Sequence, residues 1–267
     1  MIQRRVITPF LASCGGGRSP TEPTPVATSV TLSETSLIFT SLGATSHLSA
    51  TVKDRNGSTM SGASVTWSSS NPAVATVLAN GLVTAISVGS ATILAQSGSV
   101  SAMASVTIST FHLAANGVTV MCTDADVGET GTVGGVVYTK RSKAQIDVLV
   151  DAEDYAPLAT TCTSGVTDMS SMFREATSFN GDIGSWDVSG VTDMGYMFHD
   201  ARAFNQDISS WDVSSVWDMT YMFFNASSFN RDLSGWCLSL ITNAPSNFDT
   251  GASSWALDRP VWGTCPS

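Results

Sequence analysis

Apolar positions fall into two regimes along this chain. From residue 26 to 109 they come in short alternating runs among Thr and Ser. The runs are broken at Asn56-Gly57, Asn71-Pro72 and Asn80-Gly81, which are turn dipeptides. This pattern predicts many short strands, no helix, and an all-β sandwich. From residue 166 onward the period changes to 25, in copies at 166–190, 191–215 and 216–240. Residues 241–265 keep the length and lose most of the pattern. In the first copy Met169, Met172 and Phe173 stand at i, i+3, i+4, the spacing of one face of a short helical turn. Ala176 and Phe179 follow, and then Ile183, Trp186 and Val188. Trp-Asp-Val alternates as a short strand with its Asp outward. No single copy can bury this much apolar surface alone, so the copies are expected to stack on a common core.

Between these regimes, residues 110–165 predict two short strands, 117–122 and 135–140, and then a helix over 142–151. Ser142 and Gln145 have the spacing of a capping box, and Ile146, Leu149 and Val150 share one face. A stacked module needs its first copy covered, and this segment is read as that N-terminal cap.

The Ile-x-x-Trp-x-Val spacing is that of a leucine-rich repeat. The full unit, V-T-D-M-S-x-M-F followed by F-N-x-D-I-x-x-W-D-V-S, resembles the BspA-like leucine-rich repeat surface proteins of bacteria. That resemblance implies a cell-surface protein used in binding or adhesion, and it carries over no catalytic residue. The run V-T-W-S-S-S-N-P-A-V-A-T-V from Val65, with Gly81-Leu82-Val83-Thr84-Ala85 and Gly89-Ser90-Ala91-Thr92-Ile93, resembles the bacterial Ig-like group 2 domain of intimin- and invasin-type proteins. It implies a spacer with Trp67 in its core. The expected fold class is therefore mainly β and multi-domain: an Ig-like β-sandwich followed by a short leucine-rich-repeat-like solenoid with short helical turns.

Charge narrows the partners. The net charge is −10, with −8 in residues 166–265, −4 in 110–165, zero in 26–109 and +2 in the first 25 residues. Nucleic acid, which needs a basic face, is excluded as a partner. The acidic repeat surface is read as serving solubility. At the start, Arg4 and Arg5 precede an apolar stretch, and Leu11-Ala12-Ser13-Cys14 resembles a bacterial lipobox. The reading is a signal peptide at 1–13, acylation of Cys14, and a flexible Gly/Ser/Thr/Pro tether over 14–25. Membrane attachment would then run through acyl chains alone. The Ig-like domain would occupy 26–109, the linker and cap 110–165, the repeats 166–240, and the degenerate copy and C-terminal cap 241–267.

Beyond Cys14 there are four cysteines, which allow three pairings. Proximity in sequence favours Cys122–Cys162 and Cys237–Cys265, one at each end of the repeats. No metal site is expected: the recurring Asn-x-Asp pairs, which could ligate Ca²⁺, are read as turn closers. No cofactor is called for. The three histidines are scattered and no nucleophile–base motif recurs, so the chain is not expected to be an enzyme. The candidate ligand face is the outward side of Trp-Asp-Val: Asp187 and Asp212 with Ser185 and Ser210. The expected function is display of the repeats on an Ig-like stalk at the cell surface, for adhesion to an extracellular protein or glycan. The alternative is a structural envelope spacer without a specific ligand.

Overall fold

The structure is a computed structural model that describes residues 25–266; Cys14 and the signal and tether readings lie outside them. Nine strands form the first unit: β1 (Ala27–Leu32), β2 (Ser36–Phe39), β3 (Thr45–His47), β4 (Ala50–Asp54), β5 (Thr66–Ser69), β6 (Ala75–Val77), β7 (Leu82–Ala85), β8 (Gly89–Ser97) and β9 (Val100–Ile108). They pair as β2-β9-β8-β5, β3-β7-β6 and β1-β4. β2 runs parallel to β9, and the other pairs are antiparallel. Alternation sorts the side chains as the sequence predicts: Leu37, Phe39, Ala91, Ile93, Ala104, Val106 and Ile108 turn inward, and Ile38 and Met103 face out. Trp67 is half-buried and packs against two apolar clusters. Gly81 sits at φ +85° where a Cβ would run into the Leu48 carbonyl, so the Asn-Gly turn has no substitute there.

The connecting segment holds β10 (His112–Leu113) paired with β11 (Val120–Met121). The hairpin of β12 (Thr130–Val133) and β13 (Val136–Lys140) follows, then α1 (Lys143–Asp151) and β14 (Thr161–Cys162), which pairs parallel to β13. Ser142 caps α1 and Gln145 returns the bond, which satisfies donors at its first turn. Ile146 is fully buried, and Leu149 and Val150 pack against the core of the repeats.

In the repeats, every Met, Phe, Ile, Trp and Val of the motif in the first three copies is 3% exposed or less, apart from Val166. Equivalent rings form columns: Phe173, Phe198 and Phe223 are 5.6 and 5.5 Å apart, and Phe179, Phe204 and Phe229 are 5.7 Å apart at each step. The core position is therefore occupied as the periodicity requires.

The backbone differs from expectation in two places. The Met-x-x-Met-Phe segment is not helical. Ser171 and Glu175 are left-handed, at φ 56° and 62°, as are Tyr196 and Asp200, and Tyr221 and Asn225. Met172 and Ala176 bond three residues back, while Met169, Ser171, Phe173 and Glu175 donate to Asp193, Gly195, Met197 and His199 of the next copy at 2.7–2.9 Å. A left-handed residue at every fourth position breaks the helical turn, and the N–H groups of residues 169, 171, 173 and 175 point to the neighbouring copy, so bonds that a helix would keep internal become bonds between copies. The second difference concerns Trp-Asp-Val, which is irregular backbone and not a strand. The bridges between copies lie instead at Asp168↔Asp193 and Asp193↔Asp218, and they are parallel.

The last copy is also one residue out of step. Left-handed positions recur at 171, 196 and 221, and then at 247. Tyr221 accordingly donates to Ser246 and Phe223 to Phe248. An additional residue between Ile241 and Ser246 is what blurs the fourth copy in the sequence.

Candidate functional site

The residues of the expected ligand face do not form one patch. Asp187 is 5% exposed. Its carboxylate accepts the Ser164 hydroxyl at 2.5 Å and the Ser189 N–H and hydroxyl at 3.1 and 2.6 Å. Its carbonyl accepts the Thr163 hydroxyl, and β11 donates the Val120 N–H to the Ser185 carbonyl. The connecting segment thus lies on Trp-Asp-Val of the first copy, and Asp187 is consumed in holding it. The outward assignment of Asp187 is corrected on that ground. Asp212 is exposed, with Ser214 N–H on its carboxylate at 3.1 Å. Ser185 and Ser210 are half-buried, and the Ser210 hydroxyl is turned to the Gly184 carbonyl of the preceding copy.

The other recurring polar residues serve the backbone. Asp168, Asp193 and Asp218 each accept the N–H two residues on, as do Asp182, Asp207 and Asp232. These are Asx turns, once per copy at each position. The Ser209 N–H is the main cause that holds the Asp207 carboxyl below the usual carboxylate range; at Asp168 and Asp232 it is the hydroxyl of Ser170 and of Ser234. Asn180 and Asn205 accept the N–H of Asn205 and Asn230 at 2.9 Å, each one copy further on. Among the described residues no three His, Cys, Asp or Glu come together in a way that could hold a metal ion.

The four cysteines are joined as Cys122–Cys162 and Cys237–Cys265. A cleft of about 390 Å³ lies between α1 and the first copy, lined by Lys140, Arg141, Lys143 and Asp168 among others. Its cations are engaged: Lys140 Nζ with the carbonyls of Cys122, Thr123 and Ala125, Arg141 with Thr161, and Lys143 with Asp147.

The surface feature that sequence reasoning missed is aromatic. Tyr196 stacks on Tyr221 at 5.0 Å with the rings 5° from parallel, and His199 stacks on Phe224 at 4.9 Å. The two columns touch, with Tyr196 5.7 Å from His199 and Tyr221 5.4 Å from Phe224. The Arg174 guanidinium lies over Tyr196 at 5.7 Å and pairs with Glu175. Asp200 runs along the edge and accepts from Arg202 and Asn225. These positions alternate with the buried Met and Phe. Their signal was the divergence between copies: Ser171, Tyr196 and Tyr221 at one position, Arg174, His199 and Phe224 at another. Arg231 donates to the Asn205 carbonyl, as Gln206 does to the Asn180 carbonyl one copy earlier.

Comparison with known proteins matches two separate stretches of the chain. Residues 26–108 match a bacterial Ig-like domain of group 2. Residues 148–259 match a family described as Mycoplasma protein of unknown function, DUF285. No curated protein matches. Solved structures with partial similarity include domains 4 and 5 of the S-layer protein SbsC, 23% identical over 32% of this chain and 54% of that one, with a TM-score of 0.30. Another is its segment rSbsC(31-844), 19% identical over 43% of this chain and 21% of that one, with a TM-score of 0.31. The chain thus spans about half or less of the solved chains it resembles.

Proposed function

We propose that this chain is a bacterial cell-surface binding protein, in which an Ig-like spacer carries a short repeat solenoid of the BspA-like leucine-rich kind. One observation carries the reading. In residues 166–240 the positions that recur are the buried apolar residues and the Asx and Asn residues that bond backbone, while outward positions differ from copy to copy. A scaffold that holds its interior constant and varies its surface is built for recognition, since function resides in sites grafted on a fold. The match of residues 26–108 to a bacterial Ig-like domain and the two disulfides support an extracellular setting. Attachment through an acylated Cys14 and a non-catalytic role complete the reading. The partner is an extracellular protein or glycan.

The test is binding of the oxidised whole chain to a panel of extracellular-matrix proteins and glycans. A saturable, competable hit is expected. Its absence, with the chain shown to be folded, would favour the spacer reading. If the ligand sits on the remaining Trp-Asp-Val face, Asp212→Lys weakens the hit.

A further inference from the structure

The row of backbone donors that joins one copy to the next does not stop at the last copy. Tyr221, Phe223 and Asn225 of the third copy donate to the carbonyls of Ser246, Phe248 and Thr250 in the fourth. With the one-residue offset, their equivalents in the fourth copy are Asn247, Asp249 and Gly251. The left-handed pair recurs there, at φ 51° for Asn247 and 83° for Gly251. Among the described residues no acceptor meets these three N–H groups. Pro245 stands where Met169 and Met194 donate and has no N–H, so the row holds three donors and not four.

The row is accessible. Asn247, Thr250 and Gly251 are exposed and Asp249 is half-buried, whereas Tyr221, Phe224 and Asn225 one copy earlier are half-buried and Phe223 is buried. A hollow of about 170 Å³ lies against it, lined by Pro245, Asn247, Phe248 and Asp249, and by Arg259 and Trp262 of the C-terminal tail. Trp262 stands edge-on to Phe248 at 4.9 Å, and Arg259 pairs with Asp249 at 3.0 Å. The tail therefore covers the end of the apolar core and leaves the donors beside it without partners.

We propose that this open row is the docking site for an extended segment of a partner protein. Its carbonyls, at every second residue, take the places that a fifth copy would fill, and one apolar side chain enters the hollow against Phe248 and Trp262. An exposed row of unpaired donors is a template for another chain, which gains affinity from main-chain bonds and specificity from a side-chain pocket. The proposed contact continues an interface already made inside the stack, where Asp193, Gly195, Met197 and His199 present their carbonyls to the first copy. That spacing belongs to polypeptide. The proposal deepens the binding-protein reading by choosing protein over glycan, and it rests on that reading.

The probe is a synthetic peptide of residues 191–203, the stretch of copy two that accepts from copy one. It is titrated against the oxidised whole chain beside a form with Ser in place of its two Met and its first Phe. Amide hydrogen exchange is followed residue by residue by NMR. In the free chain the amides of Asn247, Asp249 and Gly251 are expected to exchange fast, and those of Tyr221, Phe223 and Asn225 slowly. Saturating peptide is expected to slow the first three about tenfold or more and to leave the others unchanged. The serine form is expected to bind more weakly. Absence of peptide binding, binding without protection of the three amides, or equal binding of the serine form overturns the site. Protection in the free chain that rises with protein concentration would assign the row to a second copy of this chain and overturn the partner proposed here. A matrix-protein hit that leaves the three amides fast would keep the binding-protein reading and discard this site alone.

Discussion

The indole nitrogens show why the repeat uses tryptophan and not another large apolar residue. Trp186, Trp211 and Trp236 donate to the carbonyls of Leu158, Ile183 and Ile208 at 3.0–3.1 Å, each in the layer before. A buried carbonyl without a partner is costly, so the indole serves packing and hydrogen bonding together. Trp211→Phe keeps an aromatic ring and removes the donor. It is expected to lower stability by about 1–3 kcal/mol in denaturant titration. Trp217→Phe, at a side chain 60% exposed, should change it by less than about 0.5 kcal/mol. The Asx carboxylates set the acid response. Asp207 is held below the ordinary range, first by the Ser209 N–H, so the folded chain takes up that proton less readily than the unfolded one. Its contribution is complete above about pH 4 and is lost as pH falls through the lowered value. The thermal midpoint of the repeats should therefore drop in acid, and Asp207→Asn should reduce the drop.

Among the elements, those fixed by local chemistry could be read from the sequence. The Ser142–Gln145 capping box gave the start of α1, and alternation gave the inward faces of β8 and β9. The turn at Asn80-Gly81 followed from the need for positive φ. Met-x-x-Met-Phe misled because its spacing fits two backbones. A helix and a chain of tight turns broken by a left-handed residue at every fourth position both carry i, i+3 and i+4 to one side here, and the destination of the N–H groups separates them. That destination is set by the neighbouring copy and not by the local residues. Asp187 misled for a related reason: its equivalent Asp212 is exposed, and only the arrival of Ser164 across 23 residues buries it. The fourth copy hid its register behind one added residue. The aromatic columns were out of reach of motif reading, because they occupy the positions where the motif gives no consensus.

For the molecule as a whole, the Ig-like strands and the repeats have separate apolar cores, and all four paired cysteines lie outside the Ig-like unit. Two unfolding transitions are expected, and only the one reported by the repeats should respond to reductant. Each bridge contributes about 3–4 kcal/mol on the chain-entropy view, so the shift should be large. Intrinsic fluorescence followed with and without dithiothreitol would show it; a single transition that moves as one would refute separate cores. No helix among the described residues is long and apolar enough to cross a membrane.

Within the Met-x-x-Met-Phe segments the backbone bonds between copies have a common direction. The N–H groups of Met169 through Glu175 donate forward, those of Met194 through Asp200 do the same, and Tyr221 through Asn225 follow. An in-frame duplication of one unit would therefore find donors behind it and acceptors ahead of it already in place. Whole units can therefore be added or removed without rebuilding either end of the module. Each unit added would lengthen the stack by one ring spacing of about 5.5 Å and repeat the outward residues of the unit it copies.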